Sequence, residues 1–349
     1  LGTFAFGGGI FLKAGFAFVG LLWLCRFETS CFVVSRKTIT SPSPTTAKQR
    51  TAVMASFETP GSPLELKSSW KCHGGFVRQY SHQSSSTGTP MRFTIFLPPE
   101  SCGSDVPVLY YLSGLTCTDE NVVQKGGAFR AAARAGLALV CPDTSPRGAG
   151  VEGEDEGWDF GTGAGFYVDA TQAPWAANYK MYSYVTQELV ELVAQSFPRT
   201  SRERRGAFGH SMGGHGALTI AFKNPGAYQS VSAFSPICHP SNCPWGHKAF
   251  GGYLGPDVEE WKNHDATELM KAKGPFPFSD ILIDQGTDDN FYKGEVDQLQ
   301  PGALETAARA AGQPLTLRLQ EGYDHSYFFI NSFMDDHIEF HGRALNNGR

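Results

Sequence analysis

The sequence predicts an α/β domain in which helices cover both faces of a mostly parallel sheet. Two observations lead to this fold class. Short apolar runs of strand length alternate along the chain with stretches in which apolar residues recur at helical spacing. Strands that alternate with helices need crossover connections, and such connections favour parallel pairing in a sheet buried on both faces.

The predicted strands begin with an edge-type strand at residues 91–98, which Pro98 ends. Apolar runs then predict buried strands at residues 106–114, 136–143, 230–237, 280–286 and 315–322. Helical spacing of apolar residues predicts helices at residues 182–197, 302–312 and 326–345. Sheets of this kind bind ligands beyond the carboxyl ends of their strands, so function is expected in the loops that follow strands.

Composition excludes several classes of function. The chain has 349 residues, 41% of them hydrophobic and 18% charged, which is typical of soluble globular proteins. A net charge of -5 provides no basic surface for nucleic acid or for an anionic membrane. Eight scattered cysteines without a CxxC pair indicate mostly free thiols in a reducing compartment, and their spacing leaves a few disulfides open. We expect a cytoplasmic location, with an organelle as the alternative if residues 1–53 are a transit segment.

Residues 1–53 differ from the rest of the chain. Their apolar run at residues 14–25 is shorter than the ~20 residues that a membrane span needs. The basic, hydroxyl-rich and acid-poor sequence that follows is typical of an organellar targeting segment. The alternative is that synthesis starts at Met54, and both interpretations stay open. We expect residues 1–53 to be a disordered extension and residues 54–349 to form a single domain.

The segment Gly209-His210-Ser211-Met212-Gly213 fits the pattern G-x-S-x-G. A short run that can form a strand precedes it and a helix-like stretch follows it, which is the setting of a nucleophile elbow. Glycines at both ends relieve crowding at the sharp turn. Because a serine hydroxyl is a weak nucleophile without a base, a histidine and an acid are expected later in the chain.

Chain order narrows the choice of base and acid. Of the three histidines beyond the later strands, His325 lies in the loop after the last predicted strand, whereas His337 and His341 lie inside the final helix. The acid should follow the preceding strand, where Asp288 and Asp289 lie beyond Gly286. We favour Asp289, although local spacing barely separates the two; Asp284 is expected within the strand.

Two backbone amides are predicted to stabilise the oxyanion. One belongs to Met212, the residue after the nucleophile, and the other to Leu115 in the loop after the strand at residues 106–114. An ordinary strand-to-helix turn is the alternative for that loop.

The chain from about residue 60 to its end resembles the S-formylglutathione hydrolase (esterase D) family. The resemblance lies in "LSGLTCT", "DTSPRG", "GEDEGWDFGTGAGFYVDAT", "NYKMYSYVTQEL", "GHSMGGHGAL", "CPWGHKAFGGYLG", "DQGTDDNF" and "LQEGYDHSYFFI". It implies an α/β-hydrolase fold, a triad of Ser211, Asp289 and His325, and oxyanion donors at Leu115 and Met212. It also implies hydrolysis of S-formylglutathione to glutathione and formate without metal or organic cofactor, and a homodimer as one assembly state.

Several further residues have two interpretations each. Cys117 and Trp245 are candidate substrate-binding residues, with burial in the core as the alternative. The acidic, aromatic segment at residues 153–161 either shapes the mouth of the site or meets a substrate ammonium, and the alternative to both is a solvated loop. His337 and His341 have a helical spacing that could bind zinc, but no third ligand is evident. His210 and His215 are expected to pack or to form hydrogen bonds.

Two rival functions remain at this point. One is a broad carboxylesterase that acts on small acyl esters. The other is a catalytically silent binding module with a hydrolase fold, although such modules usually lack a triad member and none is missing here.

Overall fold

A nine-stranded sheet organises the computed structural model, which describes residues 58–59 and 61–346. All of these residues belong to one unit, residues 48–349. The predicted extension at residues 1–53 lies outside the described residues and stays a prediction. The strands, in chain order, are β1 Glu65–Cys72, β2 Gly75–Gln83, β3 Pro90–Leu97, β4 Val106–Leu112, β5 Ala138–Pro142, β6 Thr200–His210, β7 Ser230–Phe234, β8 Ile281–Gly286 and β9 Thr316–Gln320.

The sheet is mostly parallel, as predicted. Its spatial order is β1-β2-β3-β5-β4-β6-β7-β8-β9, and every pair from β5 to β9 is parallel. Every residue of β4, β5, β7 and β8 is buried, which explains why these strands are continuous apolar runs in the sequence.

The expectation that residues 91–98 form an edge strand is wrong. Strand β3 lies inside the sheet, antiparallel to β2 on one side and to β5 on the other. A hairpin of β1 and β2 extends the sheet beyond it, and β1 is the edge. The hairpin turns at His73 and Gly74, both with positive φ, as a two-residue turn requires.

Helices pack on both faces of the sheet. They are α1 Glu120–Lys125, α2 Phe129–Ala135, α3 with segments Met181–Ser183, Tyr184–Glu188 and Leu189–Ser196, α4 Met212–Lys223, α5 Pro244–Leu254, α6 Val258–Trp261, α7 Ala266–Lys273, α8 Asn290–Lys293, α9 Pro301–Ala311 and α10 Tyr327–Asn346. In the described part of the chain, no helix combines the length and apolar character needed to cross a membrane.

Two hydrophobic clusters on opposite faces stabilise this arrangement. Successive residues of β4 alternate between them, with Tyr110 in the larger cluster and Tyr111 in the smaller one. Helix α4 contributes to the larger cluster, and helix α10 packs its apolar face, including Phe329 and Met334, into the smaller one. Burial of apolar surface on both faces is the main driving force for this fold.

The carboxyl ends of the parallel strands meet at one edge of the sheet. Cross-strand partners place His210 of β6 beside Phe234 of β7, and Phe234 beside Asp284 of β8. The loops that follow β4, β6, β8 and β9 therefore begin at neighbouring positions, which is where this class of sheet forms its ligand sites.

Candidate active site

Ser211 occupies the sharp turn between β6 and α4. Its backbone has φ 58 and ψ -121, a conformation that residues other than glycine rarely adopt. Two hydrogen bonds hold the turn in place. The Ser211 amide donates to the Phe234 carbonyl at 3.0 Å, and the Ser211 carbonyl accepts from the His215 amide at 3.0 Å. This is the strained strand-turn-helix geometry of a nucleophile elbow.

The glycines around Ser211 allow neighbouring backbones to approach closely. A Cβ placed on Gly213 would lie 2.0 Å from the Leu112 carbonyl oxygen, and one on Gly209 would lie 2.3 Å from the Gly213 carbonyl oxygen. Any side chain at either position would force β4, β6 and α4 apart. The close backbone contacts at Gly209 and Gly213 therefore agree with the expectation that these glycines relieve crowding at the turn.

Asp289 lies in the loop after β8 and is fully buried. One carboxylate oxygen accepts from Nδ1 of His325 at 2.5 Å and from Nε2 of Gln285 at 3.1 Å. The other oxygen accepts from the Phe291 amide at 2.9 Å and caps helix α8. Three donors thus fix the carboxylate, and one of them is the predicted base.

Hydrogen bonds and charge keep the pKa of Asp289 below its ordinary value. Burial alone would raise this pKa, because it penalises the charged form. The hydrogen bond and charge of His325, aided by the Phe291 amide and Gln285, outweigh burial and lower the pKa. Asp289 consequently remains ionised at neutral pH, as an acid that orients a histidine must.

The neighbouring aspartates are engaged elsewhere. Asp288 has a side chain 58% exposed, and it pairs with Lys293 at 2.7 Å on the surface. Asp284 lies within β8, as expected, and binds Arg318 and His337 beneath the sheet edge. Of the three carboxylates, Asp289 is the one in contact with His325.

His325 lies in the loop between β9 and α10, as predicted. Its ring packs against the His210 ring with a centroid distance of 4.4 Å and against the Phe291 ring at 4.9 Å. Because His210 immediately precedes Ser211 in the chain, this contact brings the imidazole to the elbow. The structure therefore assembles residues that are far apart in sequence at one end of the sheet.

His210 is a neutral neighbour of the candidate base. Burial lowers its pKa well below the ordinary value, and repulsion from His325 lowers it further. A neutral ring adds no positive charge to oppose an imidazolium at His325. His215 hydrogen-bonds the Phe166 carbonyl at 3.0 Å, so both histidines have the packing or bonding roles expected of them.

The loop after β4 passes directly over the elbow. A Cβ on Gly114 would lie 3.1 Å from Cβ of Ser211, so the backbone that precedes Leu115 packs against the Ser211 side chain. The loop is fixed because the Thr116 amide donates to the Gly163 carbonyl at 2.9 Å. Met212 is the first residue of α4, so its backbone amide has no acceptor carbonyl within the helix. Gly114, the residue before Leu115, thus packs against Ser211, and Met212 follows Ser211 directly. The role of the Leu115 and Met212 amides as oxyanion donors stays a prediction.

Sequence reasoning missed the segment that supports this loop. Phe166 and Tyr167 both have positive φ, 47 and 52, outside any predicted element. The Tyr167 hydroxyl donates to the Ser113 carbonyl at 2.8 Å, immediately before Gly114. Two consecutive non-glycine residues with positive φ cannot be recognised from residue type, since neither is a residue that favours that conformation.

Cys117 lies at the far end of the same loop. Its sulfur is 3.9 Å from the Tyr327 hydroxyl, and the Tyr327 ring lies 6.4 Å from that of His210. Burial raises the pKa of the Cys117 thiol. The side chain is therefore near the site but mostly a neutral thiol, which disfavours it as a second nucleophile.

Trp245 is the second residue of helix α5 and is 8% exposed. Its ring packs on Phe291 with a centroid distance of 4.7 Å, and Phe291 in turn contacts His325. On its other side Trp245 meets Trp158 edge to face at 5.8 Å. Trp245 is thus buried, as one of its two interpretations expects, and a single ring separates it from the candidate base. Its role in substrate binding stays a prediction.

His337 and His341 belong to a polar cluster beneath the sheet. Nε2 of His337 donates to the Asp284 carboxylate at 3.1 Å, and its Nδ1 forms a hydrogen bond with the Ser232 hydroxyl at 2.8 Å. His341 forms hydrogen bonds with the Ser230 hydroxyl at 2.6 Å and with the Ser232 hydroxyl at 2.8 Å. These bonds fasten α10 to β7 and β8. Both ring nitrogens of each histidine are thereby used in structural hydrogen bonds.

Comparison with known proteins gives concordant results. The family described as putative esterases matches residues 84–340. S-formylglutathione hydrolase of Rattus norvegicus is 54% identical over 285 residues, which are 81% of this chain and 100% of the relative. The protein of the same name from Paracoccus denitrificans (strain Pd 1222) is 56% identical over 281 residues, 80% of this chain and 98% of the relative.

A solved structure agrees with these relatives. An S-formylglutathione hydrolase from Agrobacterium tumefaciens superposes with a TM-score of 0.77 at 46% sequence identity. The match covers 81% of this chain and 100% of that chain.

Proposed function

The chain belongs to the S-formylglutathione hydrolase family of α/β-hydrolases, and from that membership we propose that it hydrolyses S-formylglutathione to glutathione and formate. We propose Ser211 as nucleophile, His325 as general base and Asp289 as the acid that orients it. The observation that carries this assignment is the 2.5 Å hydrogen bond between Asp289 and His325 beside the strained turn at Ser211.

Acylation begins when Nε2 of His325 takes the Ser211 proton as the hydroxyl oxygen attacks the thioester carbonyl. Asp289 holds the proton of His325 on Nδ1, so that Nε2 is free to accept, and it stabilises the imidazolium that forms. The amides of Leu115 and Met212 stabilise the oxyanion; loss of one such donor typically costs ~100- to 1,000-fold in rate. The C–S bond then breaks and glutathione leaves as a thiolate, which takes the proton from His325.

Deacylation uses the same groups with water as nucleophile. His325 accepts a proton from water as the water oxygen attacks the formyl ester on Ser211. The tetrahedral intermediate collapses, the C–O bond to Ser211 breaks, and Ser211 recovers its proton from His325. Formic acid leaves and loses its remaining acidic proton to solvent to give formate. Ser211 is only 3% exposed, and formyl, the smallest acyl group, makes the least steric demand at so buried a residue.

A comparison of two substrates tests this function. The protein should hydrolyse S-formylglutathione with a much higher kcat/KM than a simple acetate ester such as p-nitrophenyl acetate. An equal or higher value for the acetate ester would favour the broad carboxylesterase. A fluorophosphonate probe that left Ser211 unlabelled would favour the silent binding module, which no described residue of the site otherwise supports.

The proposed setting is the reducing cytoplasm, with a small molecule as the only partner besides a second copy of the chain in a homodimer. Among the described residues the six cysteines are free, three of them buried, which supports a reducing compartment. The resemblance to the family supports the dimer. Fractionation of cells and sedimentation of the purified chain test these two statements separately.

A further inference from the structure

A continuous path of aromatic rings runs from His325 to the protein surface. His325 contacts Phe291 at a centroid distance of 4.9 Å, Phe291 contacts Trp245 at 4.7 Å, and Trp245 contacts Trp158 at 5.8 Å. Trp158 is 55% exposed, unusual for so large an apolar side chain. The path therefore joins the reacting centre to an open apolar surface along which part of a substrate can lie.

An ion pair marks the outer end of this path. Lys248 lies one helical turn after Trp245 on α5, and Asp159 directly follows Trp158; the Lys248 ammonium donates to the Asp159 carboxylate. The Lys248 side chain is 50% exposed and that of Asp159 16%. An ammonium has three donors and a carboxylate about four acceptor positions, so each partner retains capacity for a ligand.

The two elements that carry the pair are locked together. Phe160, the residue after Asp159, stacks on Tyr253 at 4.5 Å, and a Cβ on Gly252 would lie 2.3 Å from the Phe160 ring. The Tyr253 hydroxyl also accepts from the Gly161 amide at 2.9 Å. The backbones that carry the two charged side chains are consequently held together before a ligand arrives, which reduces the entropy that binding costs.

The two ends of glutathione differ in charge. The glycyl end has a carboxylate alone, whereas the γ-glutamyl end has an ammonium and a carboxylate on one carbon. The loop around Trp158 also carries the exposed acids Glu152, Asp155 and Glu156. Their charge disfavours a lone carboxylate and favours a group that brings an ammonium. The zwitterionic γ-glutamyl end can place its carboxylate on the Lys248 ammonium and its ammonium on the Asp159 carboxylate, so each charge meets its opposite.

We propose that Lys248 and Asp159 bind the γ-glutamyl end of S-formylglutathione, with Trp158 as the apolar surface beneath the peptide. Lys248 binds the α-carboxylate and Asp159 the α-ammonium. The inference rests on the proposed function and names the determinant of its thiol specificity. Neither residue touches the reacting atoms, so they act on binding and not on the chemical step.

Steady-state kinetics on two thioesters test this subsite. One is S-formylglutathione, and the other is S-formyl-N-acetylcysteinylglycine, which lacks the γ-glutamyl residue. Its acetyl group prevents transfer of the formyl group to the adjacent amine. K248A should raise KM for S-formylglutathione about tenfold with kcat unchanged, the effect of losing one charge-assisted hydrogen bond. K248A should leave KM for the truncated thioester unchanged. D159N should likewise raise KM for S-formylglutathione and leave KM for the truncated thioester unchanged.

Two controls separate binding from general effects of charge. K271A removes a lysine of matched exposure, 51%, that pairs with Glu268 at 2.7 Å on another helix; it should change KM less than twofold. K248R keeps the positive charge and should restore most of the binding. Equal losses of K248A on both thioesters, or no change on either, would overturn the subsite.

The failures of the two proposals are distinguishable. If the wild-type protein hydrolyses acetate esters but not S-formylglutathione, the proposed function fails and the subsite with it. If it prefers S-formylglutathione and K248A keeps that preference in full, only the subsite is wrong.

Discussion

Replacement of Asp289 by asparagine tests the role of the buried carboxylate with a minimal change of shape. Asparagine can still accept from the Phe291 amide at 2.9 Å and cap helix α8. It cannot serve both the amide and His325 as the carboxylate does. If its NH₂ group faces His325, the imidazole must carry its proton on Nε2, the nitrogen that has to accept from Ser211.

The expected loss is large and affects kcat. The corresponding change in serine proteases lowers kcat about 10,000-fold, or about 5.4 kcal/mol of transition-state stabilisation. Because Asp289 acts on the base and not on the leaving group, D289N should lose about the same factor with S-formylglutathione and with p-nitrophenyl acetate. Thermal unfolding should show that the variant remains folded, since its cap is retained.

The matched control is D288N. Asp288 is the adjacent carboxylate, but it is exposed and paired with Lys293. Its replacement should change kcat less than about twofold, as expected for a surface pair. If D288N lost as much activity as D289N, or if D289N kept wild-type kcat, the assignment of the acid would be wrong.

Three further predictions concern stability and positioning. Burial raises the pKa of Asp284, but hydrogen bonds from His337 and Arg318 outweigh this and lower it to about 2; the stability it contributes is present above pH ~4 and lost as pH falls toward 2. D284N should therefore lower the free energy of unfolding, measured in urea at pH 7, by about 3 kcal/mol. The stability of this variant should also depend less on pH between 4 and 2, and a wild-type pH profile would count against the proposed interaction of Asp284 with His337 and Arg318. G213A should destabilise the fold by ~3 kcal/mol or more, because its Cβ would meet a carbonyl oxygen at 2.0 Å. As a control, the Cβ of G302A meets nothing within 4 Å, and this variant should change stability by at most ~1 kcal/mol. Equal melting temperatures of the two variants would contradict this. Y167F removes the hydrogen bond to the Ser113 carbonyl and should lower kcat about fivefold at unchanged KM, or ~1 kcal/mol, and a change in KM alone would point to a different role.

Periodicity predicted the parallel half of the sheet because those strands are buried on both faces. Every residue of β4 and β8 is buried, so their apolar runs stand out in the sequence. Strand β1 is exposed along most of its length and rich in polar residues, so no apolar alternation identifies it. Without β1 and β2, the next strand appeared to be the edge of the sheet.

The candidate site could be predicted where chain order constrained it. The elbow pattern and the order of serine, acid and histidine select Ser211 and His325 from the sequence. The choice between Asp288 and Asp289 depends on which side chain turns inward at the end of β8. Local spacing does not decide it, the family resemblance favours Asp289, and burial and the bond to His325 distinguish the two in the structure. The support from Tyr167 depends on contacts across the fold that leave no local pattern.

A double-mutant cycle tests most directly whether Ser211 and His325 act as one unit. S211A, H325A and S211A/H325A are compared by kcat for S-formylglutathione, each checked for a native thermal transition. If the residues cooperate as nucleophile and base, each single variant and the double variant should retain the same small residual rate, because either change removes the whole pathway. Losses that multiply in the double variant would mean that the two side chains contribute independently, and the proposed mechanism would be wrong.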